Sequence, residues 1–192
     1  MSWTIEVKNL PLVGVSGHLY LEIFDGAGNR VLQVNGLATN PATQKPRDIG
    51  LPGDFLKAYV SNTQILSDTI GATRDNHPHK GTVLFRGTQQ DIAKAIKAIE
   101  KAADQINKLN LRYNFLLQNS NSVFMHIVDV LSDVIPIDFP SLEAARGLKP
   151  IFPGINKQIA GRGGYQSMKE RFNAAAAKKR QDINKKNFQP KP

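Results

Sequence analysis

Residues 18–24 read HLYLEIF, and no other stretch of the chain restricts the fold as much. Leu19, Leu21 and Ile23 alternate with His18, Tyr20, Glu22 and Phe24, the two-residue period of a strand with unlike faces. Asp25-Gly26-Ala27-Gly28-Asn29 supplies residues that tolerate a tight reversal, and residues 30–35 (RVLQVN) return as the antiparallel partner. Such a hairpin is marginal in water until more strands or helices cover its apolar face. The rest of the chain must therefore provide that cover.

It does so with both periodicities. Residues 3–7 alternate as a first strand, and residues 9–17 are expected to form a loop into the hairpin. Residues 36–53, with three prolines and three glycines, are expected to be loop. In the ambiguous stretch 54–66, residues 57–61 fit a strand; 67–80 is a polar loop and 82–86 a short strand. Thr88 is placed to cap a helix, with Asp91 in its first turn. That helix runs to about Leu109, with Ile92, Ile96, Ile99, Ala103 and Ile106 in one buried stripe and lysines opposite. A second helix is expected over about 120–134, its apolar face made by Val123, Ile127, Val130, Leu131 and Val134 and its end set by Pro136 and Pro140. Residues 141–164 are short elements and loop, and a last helix over 168–183 is helped by four alanines at 174–177. Pro190-Lys191-Pro192 should fray. The fold class is α+β: a small antiparallel sheet packed against helices.

A chain of 192 residues with 41% hydrophobic and 21% charged residues can build such a core without cross-links. The absence of cysteine excludes disulfides, thiolate metal sites and a thiol nucleophile. The first residues lack the pattern of a secretory signal, and no apolar run nears the roughly 20 residues needed to span a bilayer. The default expectation is a soluble cytoplasmic protein, although signal-less export would leave the same sequence. The net charge of +9 is uneven. Residues 166–192 hold eight basic side chains against Glu170 and Asp182, so the preceding 165 residues carry only +3. With the glycine-rich run Gly161-Arg162-Gly163-Gly164 read as a flexible junction, two parts are expected: an α+β domain over 1–164 and a basic, partly helical tail over 165–192. The tail cations Lys178, Lys179, Arg180, Lys185 and Lys186 suit an anionic partner (nucleic acid, membrane surface or acidic protein) or simply a solvated face.

Two places could carry chemistry. His18 opens a strand with Tyr20 beside it, and an imidazole titrates where a general base at neutral pH is useful. Asn119-Ser120-Asn121-Ser122 opens the second helix. Those residue types are what helix capping requires. The same position also puts a hydroxyl in the positive end of a helix dipole, where free backbone N–H groups and an asparagine amide can hold an oxyanion. Spacing alone does not choose between the two roles.

A strand-opening histidine, a long helix and then Asn119-Ser120-Asn121-Ser122-Val123-Phe124 resembles the circularly permuted papain-like group, related to NlpC/P60 amidases and lecithin:retinol acyltransferase-like enzymes. The likeness covers roughly residues 18–131. In that group the later motif is Asn-Cys-x-x-Phe, with the cysteine attacking an acyl group and the earlier histidine as base. The resemblance implies a permuted papain-like (NlpC/P60-like) fold, Ser120 in the nucleophile position and His18 as base. It implies hydrolysis or transfer of an amide or ester, with an amide favoured, on a peptide, peptidoglycan or lipid-ester substrate, as in a bacterial effector or cell-wall enzyme. Serine for cysteine is the departure: the chain is a serine enzyme, an inactive relative that only binds, or a form whose cysteine was replaced. The adjacent strand offers Gln33 and Asn35 on one face, with Asn35 the first choice to orient the imidazole; Glu22, two steps from His18 on its own strand, is the alternative. Asn119, Asn121 and Tyr20 are candidate substrate or oxyanion contacts.

No cofactor is called for. His77-Pro78-His79 lacks a third nearby metal ligand, and Gly161-Arg162-Gly163-Gly164 lacks the rest of a phosphate-binding loop. His126 is expected to point away from Ser120, as a surface or partly buried residue with no catalytic part. Beside the enzyme stand two other readings: an inactive papain-like binding module, and a protein that acts through its basic tail.

Overall fold

The computed structural model describes residues 1–11, 17–47, 50–62, 81–146 and 154–187. They form an α+β fold with a six-stranded, wholly antiparallel sheet and four helices. The strands are β1 (Trp3–Pro11), β2 (Gly17–Phe24), β3 (Arg30–Thr39), β4 (Pro46–Arg47), β5 (Phe55–Ser61) and β6 (Gly81–Gly87). The helices are α1 (Gln89–Lys108), α2 (Ser120–Leu131), α3 (Phe139–Arg146) and α4 (Tyr165–Asn187).

The strand order is β4-β3-β2-β1-β6, with β5 on β3. Strand β3 organises the site. Residues 33–39 pair with β5 along one edge. On its other edge β3 pairs with β2 from Arg30 to Val34 and with β4 at Ala38 and Thr39. Between those two partners, no described strand pairs with the edge at Asn35, Gly36 and Leu37, and residues 17–20 of β2 do not pair with β3. A fork is left between the two strands.

Helices α1 and α2 cover one face of the sheet. Ile92, Ile99 and Ile106 of α1 and Val123, Ile127 and Leu131 of α2 are at most 1% exposed and share a core with Ile5, Leu19, Leu21 and Ile23. Each such side chain contributes about 1.5–3 kcal/mol by leaving water. Helix α1 starts in a capping box: Thr88 Oγ1 accepts from Asp91 N, while the Asp91 carboxylate accepts from Thr88 N. Helix α3 lies against β6 and β1, and Asp138 N donates to Leu84 O at 2.8 Å.

Several expectations are corrected. The first hairpin is longer than its alternation, because β1 continues to Pro11 and β2 begins at Gly17 with the register Pro11↔Gly17, so residues 9–11 and 17 of the expected loop are strand, and 12–16 lie outside the described residues. Residues 36–39 continue β3 and 46–47 form β4 inside the stretch expected to be loop. Helix α2 stops at Leu131, before either proline, and Pro140 lies in the first turn of α3, where its missing N–H costs nothing. The polar face of β2 is covered: His18, Tyr20 and Glu22 are 2%, 3% and 8% exposed. Helix α4 starts three residues early, and its first turns belong to the core through Tyr165 and Met168. The glycine run ahead of it is a packed turn. Gly161, Gly163 and Gly164 all have positive φ, and a Cβ on Gly163 would lie 2.9 Å from the His126 backbone nitrogen. The expected loop over 67–80, with His77 and His79, and the fraying end lie outside the described residues.

Candidate active site

The start of α2 is wedged into the fork between β2 and β3. Gly36 marks the contact: a Cβ there would fall 2.6 Å from Val123 Cβ, 2.9 Å from Ser120 O and 3.0 Å from Ser120 Cα. Only a residue without a side chain lets the strand and the helix backbone approach so closely. On the β2 side, Asn121 takes the place of the missing ladder partner. Its Oδ1 accepts from Leu19 N at 3.0 Å and its Nδ2 donates to Gly17 O at 3.1 Å. The backbone on both sides of His18 is thus tied to the residue after Ser120.

His18 is buried beyond that clamp, and its Nε2 lies 3.0 Å from Asn35 Oδ1. A carboxamide oxygen can only accept, so the bond requires the proton on Nε2 and leaves the lone pair of the neutral imidazole on Nδ1. Tyr20 stacks beside it, ring centroids 5.8 Å apart at 20°. Burial, with the nearby Glu22 charge, raises the Tyr20 pKa, so its phenol stays protonated. Glu22 is engaged farther along the same face, accepting from Gln33 at 3.0 Å and Arg30 at 3.1 Å. Of the two orienting candidates, Asn35 is the one bonded to His18 Nε2. The Asn35 Nδ2 is buried and has no hydrogen-bond partner among the described residues.

The helix start holds the four polar residues in unlike roles. Asn119 is the cap: its Oδ1 accepts from Asn121 N at 3.0 Å, and its Nδ2 donates to Phe115 O. Ser122 completes the reciprocal box, lying 3.2 Å from Asn119 N and donating to Gly154 O at 2.9 Å. Asn119, Asn121 and Ser122 are all at most 3% exposed. Ser120 alone of the four is partly exposed. The amides of Asn121 and Ser122 are taken by Asn119. The Ser120 N–H, at the first helical position, has no acceptor within the helix.

The structure therefore brings His18, Tyr20, Asn35, Asn119, Ser120 and Asn121 to one junction. It commits the side chains of Asn119 and Asn121 to backbone groups, which assigns any oxyanion contact there first to the main chain. Sequence reasoning missed Gly36 and Gly17. The available signal was a glycine inside a strand directly after Asn35.

His126 is a correction. It is 3% exposed, and its Nδ1 lies 3.0 Å from Ile159 O. Burial lowers its pKa, as does the Arg162 charge, against the hydrogen bond that Nδ1 donates to the Ile159 carbonyl. It faces the 154–164 segment because the glycine turn folds back over α2. Nearby, the buried Asp129 carboxylate accepts from Gly163 N at 2.8 Å and pairs with Arg162 and Arg171. Among the described residues no group of three or more histidines and carboxylates is placed to hold a metal ion. No described helix is long and apolar enough to cross a membrane. No protein-family model, curated protein or solved structure matches the chain.

Proposed function

We propose that the chain is a hydrolase or acyl-transfer enzyme of permuted papain-like design, acting on an amide or ester through Ser120, with His18 as base and Asn35 as its positioning residue. The observation that carries the reading is the His18–Asn35 pair, buried and bonded at 3.0 Å, beside a helix whose partly exposed first residue is a serine. Asn35 fixes the tautomer that leaves Nδ1 basic. In the forward step Ser120 Oγ adds to the acyl carbon as its proton passes to Nδ1. The imidazolium then protonates the departing amine or alcohol. Water or an acceptor alcohol, activated by the same nitrogen, releases the acyl group. The Ser120 N–H and the positive end of α2 face the oxyanion as it forms. Peptides, peptidoglycan stems and lipid esters all present such a carbonyl, and a bacterial effector or cell-wall role fits the resemblance.

A second reading has its own observation. The residue in the nucleophile position is serine, a weaker nucleophile than the thiolate for which such sites are known. The same architecture then serves as a binding module, with the basic tail able to add an anionic partner.

Labelling with a fluorophosphonate probe separates the two. The enzyme reading expects labelling of the parent protein that disappears in Ser120→Ala and falls at least tenfold in His18→Ala. A silent parent whose Ser120→Cys variant reacts with a thiol-directed probe supports the binding module built on a thiol site. Silence in every variant overturns both uses of the junction.

A further inference from the structure

The turn just before the α2 cap exposes three consecutive large apolar side chains. Phe115, Leu116 and Leu117 are 46%, 66% and 64% exposed. Single exposed leucines are ordinary on a protein surface, but an uninterrupted run at the tip of a turn calls for a partner.

The backbone of this turn is closed on itself. Asn114 N donates to Gln118 O at 2.8 Å and Gln118 N to Asn114 O at 2.9 Å. Asn114 Oδ1 accepts from both Leu116 N and Leu117 N at 3.0 Å, and Phe115 O accepts from Asn119 Nδ2. The amides of Asn114, Leu116, Leu117 and Gln118 thus need no water. Each peptide group bonded within the turn in this way avoids the several kcal/mol that an orphaned one costs in an apolar medium.

The exposed charge of the connector that carries the tip is basic, and the Asp54 carboxylate beside Tyr113 is buried. Lys108, the last residue of α1, and Arg112 on the connector are both exposed. The sequence has no aspartate or glutamate between Asp104 and Asp129. Arg112 is held in place, donating to Gly53 O at 2.7 Å with its guanidinium over the Phe55 ring.

We propose that residues 114–118 form an interfacial anchor for an anionic phospholipid bilayer. Phe115, Leu116 and Leu117 enter the headgroup–acyl boundary while Lys108 and Arg112 lie against lipid phosphates. Apolar insertion and basic flanks together are what reversible attachment to such a surface requires. Because Asn119 ties the turn to the start of α2, the docked protein presents the Ser120 junction near the bilayer. The anchor does not depend on Ser120 being a nucleophile.

The test is co-sedimentation of the full chain with vesicles of phosphatidylglycerol and phosphatidylcholine, against phosphatidylcholine alone. The parent protein is expected to bind the mixed vesicles preferentially, and Leu116→Ser/Leu117→Ser to bind them roughly tenfold or more weakly. Both side chains are exposed, so an unchanged circular dichroism spectrum is expected for that variant. A Leu117→Trp variant should show emission that shifts to the blue on vesicles and is quenched by brominated acyl chains, above the background of Trp3. The basic end of α4 is separated by Lys178→Gln/Lys179→Gln/Arg180→Gln, expected to lose less binding than the double serine variant. The proposal is overturned if the parent ignores both vesicles, or if the double serine variant binds as the parent does. It is equally overturned if neutralising the tail alone abolishes binding, or if the exposed leucines hold two copies of the chain together and leave vesicle binding untouched.

Discussion

At the scale of single residues, two side chains carry more than their sequence neighbours reveal. Asn121 satisfies one buried carbonyl and one buried amide of β2, at Gly17 and Leu19. Asn121→Ala leaves both without a partner, at about 1–3 kcal/mol each. We expect a loss of about 2–5 kcal/mol in urea unfolding, and a fall in probe labelling as the histidine segment loosens. Asn121→Asp keeps an acceptor for Leu19 N and should recover part of the stability. His126 sets a pH dependence. Its pKa is lowered by burial from an unfolded value of about 6.5. Above that value it is neutral in both states and its burial is uncharged. As pH falls through the unfolded pKa the unfolded chain takes up the proton first, so stability drops until the folded pKa is also passed. The stability difference between the parent and His126→Gln should therefore shift against the parent between pH 7.5 and pH 5, read as urea midpoints.

At the scale of elements, recurring asparagines stand in for strands. Asn121 serves the free side of β2, and on edge strand β5 the Asn107 side chain from α1 receives Ala58 N at 2.8 Å and donates to Ala58 O at 2.9 Å. Both tie a helix to a strand through ladder-like bonds, which fixes helix rotation as hydrophobic burial alone does not. Helix α1 depends also on its cap. Thr88→Ala removes the hydroxyl that accepts from Asp91 N, and should cost about 1 kcal/mol in thermal or chemical unfolding. The Asp91 carboxyl is held below the usual carboxylate range by its bonds to Thr88. Its cap contribution is present above the unfolded carboxylate pKa and is lost as pH falls through the lowered one.

At the scale of the whole molecule, the last helix begins inside the core. Tyr165 donates to Glu143 at 2.6 Å, Met168 is 4% exposed, and Phe139 stacks on both Tyr165 and Phe172. Arg171 also reaches the buried Asp129. A chain ending at Gly164 loses all of these, and burial of Tyr165 and Met168 alone is worth about 3–5 kcal/mol. For a protein of this size that corresponds to a drop in Tm of roughly 6 °C or more, whereas a chain ending at Lys178 should melt within about 2 °C of the parent. Differential scanning calorimetry of the two truncations checks this.

The amino-acid sequence alone determined the elements whose signal is local. Alternation in residues 18–24, the isoleucine stripe of α1 and the Thr88 and Asn119 caps were each legible, because period and capping chemistry act within a turn or two of the chain. It also singled out His18, Asn35 and Ser120, by residue type and by resemblance. The tertiary structure decided everything that joins residues far apart. It showed that the polar face of β2 is covered, so that His18 is buried. It showed that Gly36 exists to let α2 into the fork, that Asn121 completes a strand 102 residues away, and that His126 and the glycine turn pack on one another. Alternation gives the two faces of a strand but not what covers each, and a hydrogen bond between distant residues leaves no periodic trace. Those facts follow from how the sheet and the helices close on each other, which only the assembled chain sets.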